Sequence, residues 1–137
     1  MIQMELFQVM IAETRDEQVI ILREIDGGRT FPIVIGSYEA ITLNRKLHND
    51  KTPRPLTHDL IENILNGLNI TLIRVEITNL KNNTFYAKLL LQQDDQKVEI
   101  DTRPSDAIIL ATQLKSPIYV NEEVLEKLKP SENTKEE

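Results

Sequence analysis

The chain has 137 residues, with 16 Lys and Arg against 22 Asp and Glu, a formal net charge of -6, and neither Cys nor Trp. That length suits one domain with a core of its own, and the missing Cys excludes a disulfide framework, a thiolate zinc site and a thiol nucleophile. The acidic balance and an aromatic content of 4% exclude a protein that coats nucleic acid by bulk charge or by many stacking rings.

Ile2, Met4 and Leu6 alternate with polar residues, and Val9 and Ile11 resume on the other parity. A period of two that changes phase predicts a bent or bulged strand. Strands follow over 19–25 and 31–35, parted by the turn Asp26-Gly27-Gly28-Arg29, and Pro32 places the second at an edge or a bulge. Ser37 is the expected cap of a helix reaching about residue 48, with Ala40, Ile41, Leu43 and Leu47 apolar. After a loop over 49–55, Thr57 is the expected cap of a second helix ending near Gly67. Its residues Leu60, Ile61, Ile64, Leu65 and Leu68 recur at helical spacing and are expected to face the core. A second antiparallel meander covers 72–80, 85–92 and 97–101, with polar turns between.

Pro104 opens a third helix that buries Ala107, Ile108, Leu110, Ala111 and Leu114. Pro117 ends it, 118–120 form a short strand, and Asn121 caps a last helix. The polar run 130–137 is expected to be a disordered tail. The fold class is α+β: a β-rich single domain over 1–129, made of antiparallel meanders with three to four helices. No apolar run approaches the roughly 18–20 residues that span a bilayer, and the N-terminus lacks a signal-peptide pattern. The expectation is a cytoplasmic protein without membrane contact. The free edges of two meanders leave room for a homo-oligomer.

The charge is unevenly spread: Arg45, Lys46, Lys51 and Arg54 face only Asp50, a local balance of +3. This stretch suits phosphate contact, or it simply complements a helix end. His58 beside Asp59 suits acid–base chemistry or a metal, and equally a hydrogen-bonding role at a helix start. Glu39, Asp59, Asp101 and Asp106 each lie beside a strand–helix junction. Converging there, they could hold divalent cations against a phosphate; alternatively they stabilise their own helices and pair with Arg103. No glycine-rich phosphate loop, GxSxG, HExxH or EF-hand pattern is present.

Three ordered stretches carry a resemblance. They are Phe31-Pro32-Ile33-Val34-Ile35-Gly36 with Glu39-Ala40, then Arg54-Pro55-Leu56-Thr57-His58-Asp59-Leu60, then Phe85-Tyr86-Ala87 with Glu99-Ile100-Asp101-Thr102-Arg103-Pro104-Ser105-Asp106-Ala107-Ile108. Together they resemble the bifunctional nuclease domain family, over about residues 5–128. The resemblance implies a compact β-rich α+β domain and a nuclease, a phosphodiester hydrolase making transient contact with DNA or RNA. Carried onto this chain, it implies Glu39, Arg54, His58, Asp59, Arg103, Ser105 and Asp106 as the family's polar motif positions. With their clustering at helix starts, Glu39, His58, Asp59 and Asp106 are the expected catalytic residues, and Arg54, Arg103 and Ser105, with Lys51 and Arg45 from the basic stretch, the expected phosphate-binding ones. Glu39, Asp59 and Asp106 are then the expected metal ligands, and oxygen donors without Cys suit Mg²⁺ or Mn²⁺. The alternative is a non-enzymatic protein- or nucleotide-binding module in which the Arg-Pro-Asp motifs are structural helix caps.

Overall fold

The computed structural model describes residues 1–12, 14 and 16–128; the expected tail over 130–137 lies outside them. The first meander comprises β1 (Ile2–Met10), β2 (Glu17–Glu24) and β3 (Thr30–Gly36), followed by helices α1 (Ser37–Leu47) and α2 (Thr57–Gly67). The second comprises β4 (Thr71–Lys81), β5 (Thr84–Gln93) and β6 (Gln96–Thr102), then α3 (Pro104–Leu114), β7 (Ile118–Val120) and α4 (Glu122–Lys127). The phase change in β1 is a bulge: pairing with β2 slips between Leu6 and Gln8. Asn82 and Asn83 both take positive φ in the two-residue turn joining β4 to β5, the geometry that suits the twist of a tight hairpin.

The two meanders join into one sheet. Its order is β3-β2-β1-β7-β4-β5-β6, with β7 antiparallel to β1 and parallel to β4. The architecture is therefore a mixed sheet with helices, an α+β fold. Pro32 sits in β3, an edge strand, the position that tolerates a missing N–H. In a flat sheet β3 and β5 would stand roughly 24 Å apart. Yet the rings of Phe31 on β3 and Phe85 on β5 lie 5.7 Å apart, centroid to centroid. The sheet curls strongly, and its inner face holds Ile20, Leu22, Phe31, Ile33, Val75, Ile77 and Leu89 in one core with α1 and α3.

Three expectations about the helices change. Ser37 caps nothing; its hydroxyl donates to the Asp16 carbonyl at 2.8 Å, and Gly36 is the residue that precedes α1. Thr57 is the first helical residue of α2 rather than its cap. The capping group is Asp59, whose Oδ2 accepts the Leu56 N–H at 2.9 Å, while Leu56 itself has no acceptor to offer. The apolar stripe of α2 is mostly exposed: Leu60 by 54%, Ile64 by 50% and Leu68 by 55%. The side chain of Gln113 on α3 donates to the His58 carbonyl and to Glu62, which turns the His58–Glu62 side of α2 inward and rolls the stripe outward. Asn121 does cap α4, accepting the Glu123 N–H at 2.9 Å.

Burial separates residues that the sequence presents alike. Ile108→Ala, at a site with no solvent exposure, should cost about 2–5 kcal/mol. Leu60→Ala on the open side of α2 should stay within about 0.5 kcal/mol. Urea unfolding midpoints at unchanged slope measure both.

Candidate functional site

Helices α1, α2 and α3 each carry one carboxylate in the first turn, where the dipole favours it: Glu39, Asp59 and Asp106. Two of the three meet. Arg103, the residue before α3, donates from Nε to Asp106 Oδ2 at 2.9 Å, from Nη2 to Asp106 Oδ1 at 3.2 Å, and from Nη1 to Glu39 Oε1 at 3.2 Å. On the far side of Asp106, His58 Nε2 lies 2.9 Å from Oδ1. An ionised carboxylate only accepts, so Nε2 carries the proton and donates. The result is one continuous polar chain, Glu39–Arg103–Asp106–His58.

The members of this chain differ in exposure. The Arg103 side chain is 64% exposed, while Glu39 and Asp106 keep 15% and 25%. His58 is buried at 4%, and its Nδ1 is enclosed without a hydrogen-bond partner. It therefore acts on the open groups only through Asp106. The hydrogen bond from His58, and then the Arg103 guanidinium, hold the Asp106 carboxyl down to about 2 against the opposing effect of burial. Arg103 holds its proton more firmly in turn, through Asp106 first and Glu39 second.

Arg103 and Glu39 border a cleft of about 510 Å³ between β3 and the start of α3, also lined by Ser105, Asp101, Phe85 and Tyr86. Ser105 is itself buried. Gly36 makes room for Glu39. Its φ of -73° is open to any residue, but a Cβ there would fall 2.4 Å from Glu39 Oε2. The sequence pattern assigns no role to this glycine or to the two aromatic rings. A Gly three residues ahead of a helix-start Glu was the available signal.

The remaining expected residues lie elsewhere. Asp59 pairs with Lys46 of α1 and with the Leu56 N–H, and these contacts, Lys46 first, lower its pKa. It lines a second cleft of about 470 Å³ together with Arg45, Lys51 and Lys115. Arg54 is exposed in the loop before α2 and lines neither cleft. The expected metal ligands are thus divided: Arg103 occupies the space between Glu39 and Asp106, and Asp59 faces Lys46. Among the described residues no group of three or more His, Asp or Glu is set to hold a metal ion, so the donors as placed do not suit Mg²⁺ or Mn²⁺. No helix among them is long and apolar enough to cross a membrane.

Comparison with known proteins returns one family. Residues 20–133 match the model of the bifunctional nuclease domain. An uncharacterized protein of Mycobacterium tuberculosis (strain H37Rv) is 38% identical over 117 residues, spanning 85% of this chain and 70% of that protein. Bifunctional nuclease 1 of Oryza sativa subsp. japonica is 26% identical over 118 residues, spanning 83% of this chain and 36% of its own. Bifunctional nuclease 2 of Arabidopsis thaliana is 29% identical over 106 residues, at 74% and 32%. This chain therefore covers about a third of the plant relatives' length.

The polar chain makes stability depend on acid. The folded Asp106 carboxyl titrates at about 2 against an ordinary 3.8, so its contribution is complete above pH 4 and fades as pH falls toward 2. Comparing wild type with Asp106→Asn by chemical unfolding should show a gap that is widest at neutral pH and closes across that window. A gap of constant size would mean the carboxylate charge contributes nothing.

Proposed function

We propose, because this chain belongs to the bifunctional nuclease domain family, that it hydrolyses phosphodiester bonds in DNA or RNA. The observation that carries the reading is the exposed Arg103 guanidinium, fixed between Glu39 and Asp106 in a cleft that also holds Phe85 and Tyr86. A guanidinium held at three of its five N–H donors keeps two for a phosphate, and its planar fork suits the phosphate oxygens. Tyr86 and Phe85 offer ring faces to a neighbouring base. The starts of α1 and α3 border the cleft, and the positive ends of the two helix dipoles offset part of the carboxylate charge.

In the proposed step a water oxygen attacks phosphorus while Glu39 Oε2, the oxygen that Arg103 leaves free, accepts the water proton. The P–O bond to the sugar breaks, and the leaving oxygen takes a proton from solvent. Arg103 stabilises the charge that builds on the phosphorane. Asp106 holds Arg103 at two nitrogens, and His58 holds Asp106; both are positioning residues. The base and the charge-stabilising group both belong to the chain; the nucleophile and the leaving group's proton come from solvent. Arg45, Lys51 and Lys115 line the second cleft and suit phosphates farther along the same strand.

The test uses purified protein on labelled single-stranded and duplex DNA and RNA, with chelator present. Arg103→Ala and Glu39→Gln should each lower cleavage by about 10²–10³-fold, and Arg103→Lys should not restore it, since an ammonium lacks the fork. Gly36→Ala, which crowds Glu39 Oε2 from the wall of the same cleft, should lower the rate. Cleavage unchanged in both Arg103→Ala and Glu39→Gln would leave the polar chain as a structural tie. Cleavage that appears only with added Mg²⁺ or Mn²⁺ would overturn the assignment of the step to Glu39 and Arg103 alone.

A further inference from the structure

We infer that a second copy of this chain docks along β6, the two edge strands pairing antiparallel about a two-fold axis. β6 is the last strand of the sheet, and its residues 96–101 are exposed on both faces. Such an edge is ordinarily blunted or covered. Here it carries Val98 and Ile100, exposed by 41% and 43%.

The strand is complementary to itself. Gln93 and Gln96 flank the two-residue turn of the β5–β6 hairpin, so residues 96, 98, 100 and 102 bond to β5. The N–H and C=O groups of Lys97, Glu99 and Asp101 consequently point outward. Pairing centred on Glu99 satisfies all three residues of each copy, through about six new backbone hydrogen bonds. It sets Lys97 opposite the second copy's Asp101 twice, and Val98 opposite its Ile100 twice. Glu99 meets its own equivalent, each neutralised by Lys88 of its own chain. A slip of two residues toward the C-terminus would set Glu99 against Asp101, and the opposite slip would forfeit a bonded pair.

Helix α2 extends the same face. His58 is held by Asp106 at one end of it, and the Leu68 carbonyl accepts from Gln93 at the other, so α2, packed on α3 and β4, reaches from the start of α3 to the β5–β6 turn. Val98 and Ile100 stand opposite Leu91 and Leu89, on the side of the sheet that carries the helices. The outward flank of α2, with Leu60, Ile64 and Leu68, bears no charge. The pairing also sets each copy's Lys97 beside Asp101 of the other, at the margin of the Arg103 cleft.

Sedimentation equilibrium of the full chain tests this. Wild type should show twice the 15.8 kDa of one chain. Lys97→Asp, Asp101→Lys and Ile100→Lys should each give 15.8 kDa, with far-UV circular dichroism unchanged because all three side chains are exposed. The double variant Lys97→Asp with Asp101→Lys restores opposite charges and should restore the dimer. A wild-type monomer, including one that gains mass only when an oligonucleotide is added, overturns the proposal. So does a dimer that survives all three single substitutions.

Discussion

Helix α3 has almost no side to offer to water. From Ser105 to Ala111 every residue but Asp106 is buried, and a helix that is apolar all round must be enclosed on all sides. The rest of the architecture answers that demand. The sheet curls until Phe31 meets Phe85, wrapping one side of α3, while α1 and α2 close over the other. The first turn of α3 holds Asp106, the one charged residue of that helix, and the polar chain is built on it. The site lies where it does because the core leaves it no other place.

Besides the Gln113 contacts, three links through first-turn carboxylates tie the three helices pairwise. Glu39 and Asp106 share Arg103 between α1 and α3, His58 and Asp106 join α2 to α3, and Lys46 and Asp59 join α1 to α2. Each carboxylate sits in the first turn of its own helix, a placement worth about 0.3–1 kcal/mol by itself. The larger effect is mutual. Removing Arg103 or Lys46 strands a partly buried carboxylate, so groups proposed for chemistry also hold the helices together. Activity and stability share the same side chains.

The sequence disclosed those parts of the fold that depend on local rules. The phase change in β1, the edge position of Pro32, the hairpin turns and the Asn121 cap all follow from alternation, a missing N–H or side-chain acceptors. Ser37 and Thr57 obey the same composition rule for caps and still fail as caps, because Asp16 and Asp59 compete for the relevant groups. The outward roll of the α2 stripe depends on Gln113, some fifty residues away, and no local pattern reports it. Of the site, the charged residues were legible as motif positions. Their division into a chain through Arg103 and a separate Lys46–Asp59 pair was not, since the separation depends on how α3 is enclosed. The space that Gly36 leaves for Glu39 is likewise visible only in three dimensions.

The three residues of β7 have a consequence for how the molecule is made. They are translated after both meanders, yet they occupy the centre of the sheet, between β1 and β4. Until they emerge, β1 and β4 each present a raw interior edge, and the two halves have no strand in common. Nascent chains therefore pass through an interval with two sticky borders, when wrong pairing between neighbouring copies competes with completion. The last short strand works as a zip between halves synthesised earlier, and its sequence separation from β1 makes that closing contact a slow one.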